Sequence, residues 1–599
     1  MRIRLGLWLS FATVLLAISA AAVRAQTPSQ TPTIVFVPQG SSWTETTRAS
    51  FYSQDQGSSM IPLAWLEALK QPNGQPFLAD SLARYGYLPN PANANTNKLP
   101  VGFTASGPAG AQVAGMTCAA CHTRQITVLG ELFRIDGGPA IVDFQSFLGG
   151  LDVAVGGVLA SDAAFAPFAA DVLHSSAPAP EDIAALQERV NAWFVRYHTL
   201  ITLALPKPPT QAWGPSRLDA VGMIFNRLTG LDIGQPPSFL IPDNIKMADA
   251  PVRYPFLWNA ARQDRTQWAG FAENGNDLLG LARNLGEVYG VFAVFQPTTD
   301  PFFTNFLNNN SANWDGLGKL EDLIKLIGPP QWQWGIDPNL AARGEAIYNR
   351  QGSCAGCHGI QTGAVRSLTE ETWKTLVQDV KTDTRQYDIL NWMVNTGVLK
   401  GTFIPIATNP LKQTDTAFNV LTTSVLGSIA EHALTGGGLT MAANRQNPAA
   451  GTLTPLQLPG RLPPSLRDLE NAFKAPSGVS PNPLSALGAQ ALFPNGSYES
   501  RVLQGIWAAA PYLHNGSVPT LAELLKKPAD RVKKFKIGPA YDIVNIGLAA
   551  EQTQFNYELE TGCPDPANPN SGNTNCGHDF GTDLSDDDKR ALLEFLKLL

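Results

Sequence analysis

The pattern Cys-x-x-Cys-His occurs twice in this chain, as CAACH at residues 118–122 and as CAGCH at residues 354–358. This spacing is the attachment signature of c-type haem. Two thiols three residues apart reach the two vinyl groups of one porphyrin, and the histidine that follows lies beneath the iron as its axial ligand. Two copies therefore predict two covalently attached haem c groups.

The residues of these motifs have two predicted roles. Thioether bonds are expected at Cys118, Cys121, Cys354 and Cys357, and iron ligation is expected at His122 and His358. A Cys-x-x-Cys pair also occurs in thioredoxin-like redox sites and as half of a zinc site. A zinc site needs four Cys or His ligands, and a redox pair needs no histidine directly after it, so haem is the favoured interpretation.

Composition bounds the class of protein. The 599 residues are enough for about two to four domains. Charged residues make up 16% of the chain and the net charge is −7. Because the sequence contains no basic stripe, nucleic acid is not an expected partner.

The first 25 residues have the features of a secretion signal. Arg2 and Arg4 precede an apolar run that begins at Leu5, and Val23-Arg24-Ala25 fits a cleavage site. Residues 1–25 are thus predicted to be a signal peptide, and the mature protein is expected to be periplasmic or secreted. An uncleaved membrane anchor is the alternative. No later run of about 18 apolar residues follows, so no membrane span is expected in the mature chain.

Two further cysteines lie outside the haem motifs. Cys563 and Cys576 flank a loop rich in Pro, Asn and Gly near the end of the chain. In an oxidising compartment this pair is expected to form a disulfide. A metal role is the alternative, because His578 follows closely.

The expected fold is mainly α, with two cytochrome c-like haem domains in tandem, long loops and few short strands. Residues 26–330 would hold the first haem, and residues 331–599 the second. A long loop is expected over 444–497, where the sequence is rich in Pro, Gly, Asn and Ser. Helices are predicted over 181–202 and 341–348 and after the capping residue Ser585.

A weak internal repeat follows the two motifs. Leu257–Gly270 aligns without gaps to Leu503–Gly516, and the alignment places Trp268 opposite His514. A second histidine makes a haem iron six-coordinate, whereas tryptophan cannot bind iron. We therefore expect an open, catalytic haem above His122 and a closed haem held by His358 and His514.

Other side chains are alternative sixth ligands. They are His174 and His198 for the first haem, and His432 and Met393 for the second. His514 could also be an ordinary loop histidine, and Trp268 an ordinary core aromatic.

With these residues in view, the chain resembles the di-haem cytochrome c peroxidase superfamily, and most closely its rubber oxygenase and fatty-acid dioxygenase type. The similar stretches are 55–58, 99–103, 117–123, 510–521 and 576–581. The resemblance implies O2 bound at the N-terminal haem and two histidine ligands at the C-terminal haem. It implies O2 insertion at a C=C bond of an apolar substrate, either an unsaturated fatty acid or a polyisoprenoid. Residues 213–219 also resemble a phrase of the superfamily, in which Arg217 could pair with a haem propionate or with Asp219.

An oxygenase of this kind needs an apolar wall that holds an alkene beside the iron. Trp258, Trp268 and Phe271 are the expected wall, although each could be ordinary core packing. A peroxidase needs instead a distal base, for which Glu273 or Gln267 are candidates. The peroxidase and a non-enzymatic electron carrier remain alternatives, and a small redox donor protein is a possible partner.

Overall fold

The computed structural model describes residues 33–93, 99–275, 277–300, 303–363, 372–404, 408–435, 496–563 and 572–599. The predicted signal peptide lies outside the described residues. The predicted loop 444–497 also lies outside them, except for its last two residues, and Ser497 begins a strand.

The architecture corrects the expected fold class, because the chain is mixed α/β rather than mainly α. About 39% of the described residues are helical and 16% are in strands or bridges. The strands form small sheets: two have three strands and the others have two. Proline and glycine are frequent and keep the helices and strands short. Loops that are distant in sequence pair in short ladders between them.

The α-helices of the described residues are α1 (Glu45–Ser53), α2 (Leu63–Ala68), α3 (Cys118–Cys121), α4 (Phe144–Leu159), α5 (Asp162–Val172), α6 (Pro180–Ala204), α7 (Ala220–Arg227), α8 (Asp277–Gly290), α9 (Trp314–Leu326), α10 (Pro338–Tyr348), α11 (Ala355–His358), α12 (Arg385–Asp388), α13 (Ala417–Leu434), α14 (Leu521–Leu524) and α15 (Asp586–Leu596). A π-helical turn spans Leu228–Asp232. Short 3-10 turns span Ala83–Tyr85, Pro91–Asn93, Pro242–Asn244, Ala260–Arg262, Ile389–Asn391, Gly397–Leu399, Ile506–Ala509 and Pro528–Asp530.

The strands are β1 (Ile34–Phe36), β2 (Ile61–Pro62), β3 (Phe103–Ser106), β4 (Val113–Met116), β5 (Thr123–Val128), β6 (Glu131–Asp136), β7 (Arg217–Leu218), β8 (Val252–Arg253), β9 (Arg265–Thr266), β10 (Ala272–Glu273), β11 (Thr298–Thr299), β12 (Thr304–Asn305), β13 (Leu376–Asp379), β14 (Met393–Asn395), β15 (Thr414–Thr416), β16 (Ser497–Ser500), β17 (Lys534–Lys536), β18 (Tyr541–Asp542), β19 (Gly547–Leu548) and β20 (Glu558–Glu560). The three-stranded sheets have the orders β1-β6-β5 and β2-β4-β3. β1 runs parallel to β6, and the other ladders between named strands are antiparallel.

The three predicted helices are confirmed, and their caps explain where they begin. α6 starts at Pro180 with Glu181 and Asp182 in its first turn, where carboxylates stabilise the helix dipole. In α15 the side chain of Ser585 accepts a hydrogen bond from the backbone N–H of Asp588. The apolar face of α15 packs against α10, the helix that leads to the second motif.

Three hydrophobic cores hold the fold together. The first is built from residues 60–292 and includes α2, α4, α5 and α6. The second joins the sheet β5-β6 to residues 506–548 and to α15, and the third joins α7 and α8 to α13. Two of the three cores thus mix residues from both sides of position 330. The domain boundary at 330 remains a prediction.

In the described part of the chain, no single helix has both the length and the apolar composition for a membrane crossing. One bent pair, α4 with α5, passes on those two criteria.

Candidate functional site

The first Cys-x-x-Cys-His motif forms one helical turn, α3, with the histidine as its C-terminal cap. Cys118 and Cys121 are free thiols and half-buried. The Nδ1–H of His122 donates to the carbonyl oxygen of Pro255 at 2.8 Å. With Nδ1 held in this way, Nε2 is the nitrogen left for an iron, which is the arrangement typical of metal-bound histidines.

The second motif repeats this arrangement. Cys354 and Cys357 are also free and half-buried, and the Nδ1–H of His358 donates to the carbonyl oxygen of Arg501 at 2.7 Å. The hydroxyl of Tyr348 donates to the carbonyl oxygen of His358 at 3.2 Å. Both histidines are therefore oriented by a backbone carbonyl from a distant segment.

The two segments that hold these histidines belong to the internal repeat. Pro255 and Arg501 stand two residues before Leu257 and Leu503, so they are equivalent in the alignment. Both copies continue into a 3-10 turn. The left-handed residues coincide as well: Asn259 with Gly505 (φ 62° and 70°), Gln267 with Leu513 (65° and 63°), and Gly270 with Gly516 (both 67°). The backbone thus confirms an alignment that few identities supported.

The two copies also bind each other reciprocally. The backbone N–H of Arg253 donates to the carbonyl of His514 at 2.9 Å, and the backbone N–H of Glu499 donates to the carbonyl of Trp268 at 2.8 Å. Arg253 is equivalent to Glu499, and His514 to Trp268. The repeats are therefore related locally by a pseudo-twofold arrangement with the two motifs on either side.

The position of His514 does not fit its predicted role as the sixth ligand of the second haem. Its Nε2 lies 3.0 Å from an Oδ2 of the buried Asp383, and its ring stacks on Tyr498 at 3.7 Å between centroids. The nitrogen that an axial ligand would use is thus engaged by a carboxylate, in the neighbourhood of the strand that leads to Arg501. We correct the assignment accordingly.

His578 has the position that the sixth ligand requires. Its ring centroid lies 6.2 Å from that of His358. Imidazole nitrogens bind metals at about 2 Å, so two rings on either side of one metal have centroids roughly 6 Å apart. The Nδ1 of His578 is buried without a hydrogen-bond partner among the described residues. Burial lowers the pKa of His578 to about 3, so its ring is neutral, as metal ligation requires.

The loop around His578 is held rigidly. His578 has a left-handed backbone (φ 48°), which is unusual for a side chain of its size. The guanidinium of Arg531 donates to the carbonyls of Asn575, Gly577 and His578. The predicted disulfide Cys563–Cys576 is confirmed, which leaves neither sulfur as a thiolate for the alternative metal role.

Among the described residues no group of three or more His, Cys, Asp or Glu side chains converges on a metal position. The other histidines also lie elsewhere: His198 is exposed and bonded to Asp152, His432 stacks on Trp314, and His174 is exposed. Met393, the remaining alternative ligand, is 51% exposed.

A cavity of about 150 Å³ lies between α7, α8, α13 and the segment 265–273. Its walls are mainly apolar and include Ile224, Phe271, Phe418, Leu421 and Val425. Phe271 meets Phe418 edge to face at 5.5 Å. Three of the five predicted distal residues, Gln267, Phe271 and Glu273, line this cavity.

The other two predicted distal residues lie in different surroundings. Trp258 is fully buried, stacks on Phe256 at 4.7 Å and donates from Nε1 to the carbonyl of Gln504. The Nε1–H of Trp268 donates to the carbonyl of Arg253, two residues from Pro255. Trp268 thus packs against the segment whose Pro255 carbonyl orients His122. Trp258 belongs to the second hydrophobic core.

Two charged residues of the cavity wall, Arg283 and Glu287, act electrostatically on the first motif. Burial raises the pKa of the Cys118 thiol to about 12; Glu287 raises it further, and Arg283 opposes this. Gln267 donates to Glu287 at 2.9 Å, and burial raises the pKa of Glu287 although Arg283 opposes it. A carboxyl group that takes up protons more readily than usual therefore faces the cavity beside the first motif. Sequence analysis missed it, because it lies in the middle of an ordinary amphipathic helix.

Three buried arginines test whether haem fits the site. Arg124, Arg217 and Arg253 each keep a guanidinium nitrogen without a partner among the described residues. Burial lowers the pKa of Arg124 to about 10 and that of Arg253 to about 9. Buried cations with unused donors are costly unless an anion is bound, and haem propionates are anions of the required kind. We conclude that the residues present fit haem.

Arg217 does not pair with Asp219, the alternative considered above. Its Nη2 donates to Asn573, whereas Asp219 caps α7 through the backbone N–H of Gly222.

Two of the stretches on which the family resemblance rests, residues 55–58 and 99–103, contact the first motif. Gln56 contacts both Cys118 and the backbone of Met116. Gly102 has φ +77°, and a Cβ there would lie 2.0 Å from the backbone nitrogen of Ala120. Only glycine allows the chain to pass so close to the motif.

We expect Gly102→Ala to destabilise the fold around the first motif, and Gly110→Ala is its matched control. Both glycines have positive φ (77° and 82°), but nothing lies within 4 Å of the Gly110 Cβ position. Each variant loses about 1–2 kcal/mol through left-handed strain, and Gly102→Ala loses a further 1–3 kcal/mol by overpacking. Thermal unfolding measures the difference, and equal losses would contradict the packing role.

Comparisons with known proteins agree with the haem assignment. A family model described as "RoxA-like, cytochrome c-like" matches residues 496–536, which include Arg501 and the second copy of the repeat. The chain is 28% identical to the uncharacterized protein y4iJ of Sinorhizobium fredii (strain NBRC 101917 / NGR234), over 93% of this chain and 92% of that protein. It is 22% identical to the uncharacterized protein y4iM of the same strain, over 50% of this chain and 49% of that protein. The family match indicates a haem c oxidoreductase.

Proposed function

We propose that the protein carries two haem c groups of unequal kind and inserts O2 at a C=C bond of an apolar substrate. The substrate would be an unsaturated fatty acid or a polyisoprenoid, and the reaction would take place above His122. The RoxA-like match supports the rubber oxygenase type, and the two local environments support a division of labour.

The observation that carries the proposal is the difference between the two sites. His578 faces His358 across 6.2 Å. All seven histidines of the chain lie in its described part. Five of them, other than His122 and His578, have the positions given above. None of these five faces His122. The first site instead feels the charges of Arg283 and Glu287, which line an apolar cavity. This difference supports a closed pair of ligands at the second site and space for a substrate near the first.

In this proposal the chain's own residues position the substrate and exclude water. A haem held by Cys118, Cys121 and His122 would supply O2 binding and activation. Phe271, Phe418 and Val425 hold an apolar chain by contact, which fixes its double bond relative to the site. Arg124 and Arg253 would hold the propionates, and Pro255 keeps His122 in the orientation that presents Nε2.

Oxygen uptake tests the proposal. Purified holoprotein is supplied with oleate or with polyisoprene, without added peroxide, and O2 consumption and carbonyl products are followed. Uptake with either alkene, and none with the saturated stearate as a matched control, is the expected result. Peroxide turnover with a reduced cytochrome donor but no O2 uptake would contradict it.

A peroxidase is the second candidate, and Glu287 is the observation that favours it. A buried carboxyl group beside the first motif could move a proton between peroxide oxygens. If the protein is a peroxidase, Glu287→Gln lowers H2O2 turnover by about 10²–10⁴-fold. If it is an oxygenase, the same variant keeps most of its O2 uptake, because O2 insertion at a C=C bond needs no net proton transfer.

Two other elements belong to the proposal. Export through the signal peptide 1–25 would bring the chain to the compartment where haem c is attached. A small redox donor protein would supply electrons to the second site. A purely electron-carrying role is the third candidate, and it gives no reason for an apolar cavity beside the first motif.

A further inference from the structure

The disulfide Cys563–Cys576 lies next to the residue assigned as the second ligand of the second haem. Gly577 alone separates Cys576 from His578, whose ring faces that of His358. A covalent cross-link therefore acts on the chain two residues from the imidazole that closes the second site. Cys563 follows β20, so the cross-link joins the loop of His578 to the ladder of β17 and β20.

Hydrogen bonds fasten the same loop on both sides of the disulfide. Before it, the backbone N–H of Asn575 donates to the carbonyl of Gly562 at 3.1 Å. After it, the backbone N–H of His578 donates to the carbonyl of Val380 at 2.8 Å, and Arg531 donates to three loop carbonyls. The disulfide adds a covalent bond to this set of restraints.

The backbone of the loop depends on such restraints. Gly577 and His578 both have positive φ, 75° and 48°, and for histidine this conformation is unfavourable. A residue of this kind keeps its conformation only where the surrounding structure fixes it. A cross-link between positions 13 apart removes many of the alternative conformations of the chain between and beside them. The disulfide therefore favours the conformation that holds His578 opposite His358.

The disulfide also lies where a reductant can reach it. Cys563 and Cys576 are both half-buried rather than fully enclosed, and the next residues after His578, Asp579 and Phe580, are exposed. Thiol–disulfide exchange requires that an attacking thiolate approach one of the two sulfurs. The loop at the surface satisfies this requirement.

We infer that the Cys563–Cys576 bond is a redox latch on the second site, closed as a disulfide and open as two thiols. The inference rests on the proposed haem at the second motif with His578 as its second ligand. A dithiol reductant supplies two electrons and two protons. The S–S bond breaks, Cys563 and Cys576 become thiols, and the reductant becomes a disulfide. With the latch open, His578 leaves its place opposite His358 more readily, and the second site admits a small ligand.

The latch deepens the proposed function by stating when the second site is closed. In an oxidising compartment the disulfide persists, and the site holds both of its histidines. Where dithiols are abundant, the site opens. The closed state of the second haem is thus conditional on the thiol–disulfide balance around the protein.

CO binding to the ferrous holoprotein, kept free of air, tests the latch. The protein is treated with dithiothreitol or left untreated, the reagent is removed, and rapid mixing with CO follows the absorbance of the second haem. Alkylation and intact mass count the free thiols and the haems. Cys563→Ser/Cys576→Ser lacks the bond in either condition, so it is the matched control for other effects of dithiothreitol. His578→Ala reports the rate of a site without its second ligand.

We expect the disulfide-bonded parent to bind CO at the first haem alone. Reduction of the bond should raise the rate of CO binding at the second haem at least about tenfold, since a cross-link over a loop of this length shifts the loop equilibrium by that much or more. The serine variant should bind CO at the raised rate with or without dithiothreitol. His578→Ala should bind it rapidly in both thiol states.

An unchanged rate in parent protein with two free thiols overturns the inference. A bond that dithiothreitol cannot open, a serine variant that still responds to dithiothreitol, or a mass that shows a single haem also overturns it. If the serine variant does not fold, the parent with and without dithiothreitol decides the question. A latch response in a protein without O2 uptake on alkenes supports the latch while the oxygenase proposal fails, and O2 uptake without a latch response does the reverse.

Discussion

Replacing His578 by alanine is expected to convert the second haem from six-coordinate and low-spin to five-coordinate, and to let it bind CO. The ring of His578 faces that of His358 at the separation of two ligands of one metal. Its loop is held by Arg531 and by the disulfide Cys563–Cys576, so the loop is expected to keep its conformation in the variant. Low-temperature EPR of the ferric protein measures the loss of the low-spin signal.

The matched control is His514→Asn. Asparagine can still donate a hydrogen bond to Asp383, so the buried carboxylate keeps a partner. We expect this variant to retain the low-spin signal and to bind no additional CO. The assignment of the second ligand is reversed if His514→Asn loses that signal while His578→Ala retains it.

The second large effect is expected from removing the thioether cysteines of one motif at a time. The double variant Cys118→Ser/Cys121→Ser should lack one haem and lose O2 uptake on alkenes entirely, because the proposed reaction takes place at the haem of this motif. Intact-mass measurement counts the haems, and an oxygen electrode follows the activity.

The companion variant Cys354→Ser/Cys357→Ser should lack the other haem but keep the CO-binding one. Its O2 uptake is expected to decline during turnover, since electrons no longer return from the second site. CO binding lost in this variant, and kept in the variant of the first motif, would show that the roles of the two motifs are exchanged.

Much of the haem chemistry could be predicted from local sequence. The motifs identify the cysteines and proximal histidines because their spacing alone determines how they meet a porphyrin. The repeat was also detectable, and its left-handed positions confirm the register. Neither, however, indicates which side of the haem a repeated residue faces. Trp268 and His514 occupy equivalent positions, and both pack against the strands that lead to Pro255 and Arg501.

His578 was missed for a physical reason. Its place opposite His358 depends on contacts between segments far apart in the chain, such as its backbone N–H to the carbonyl of Val380. A Cβ at Gly577 would lie 2.3 Å from that carbonyl oxygen. The sequence around His578 was interpreted as a disulfide loop. The glycine at position 577 was the signal that this loop packs inward, because a side chain there would clash with that carbonyl.

The fold class was wrong because the strands here have little local signature. β17 and β20 are three residues each, and the pairing of Lys534 with Glu560 at 2.9 Å joins distant positions. β13 pairs with β16 across an even longer separation in sequence. Such short ladders depend on packing between segments far apart in the chain, so neither alternation nor propensity reveals them.

The central claim is that the two haem sites differ, one open and one closed. CO titration of the fully reduced parent protein, with haem counted by mass, tests it most directly. The account predicts two haems and one CO bound per chain, together with a persistent six-coordinate low-spin spectrum from the second haem. Binding of no CO, or of one CO to each haem, would contradict it.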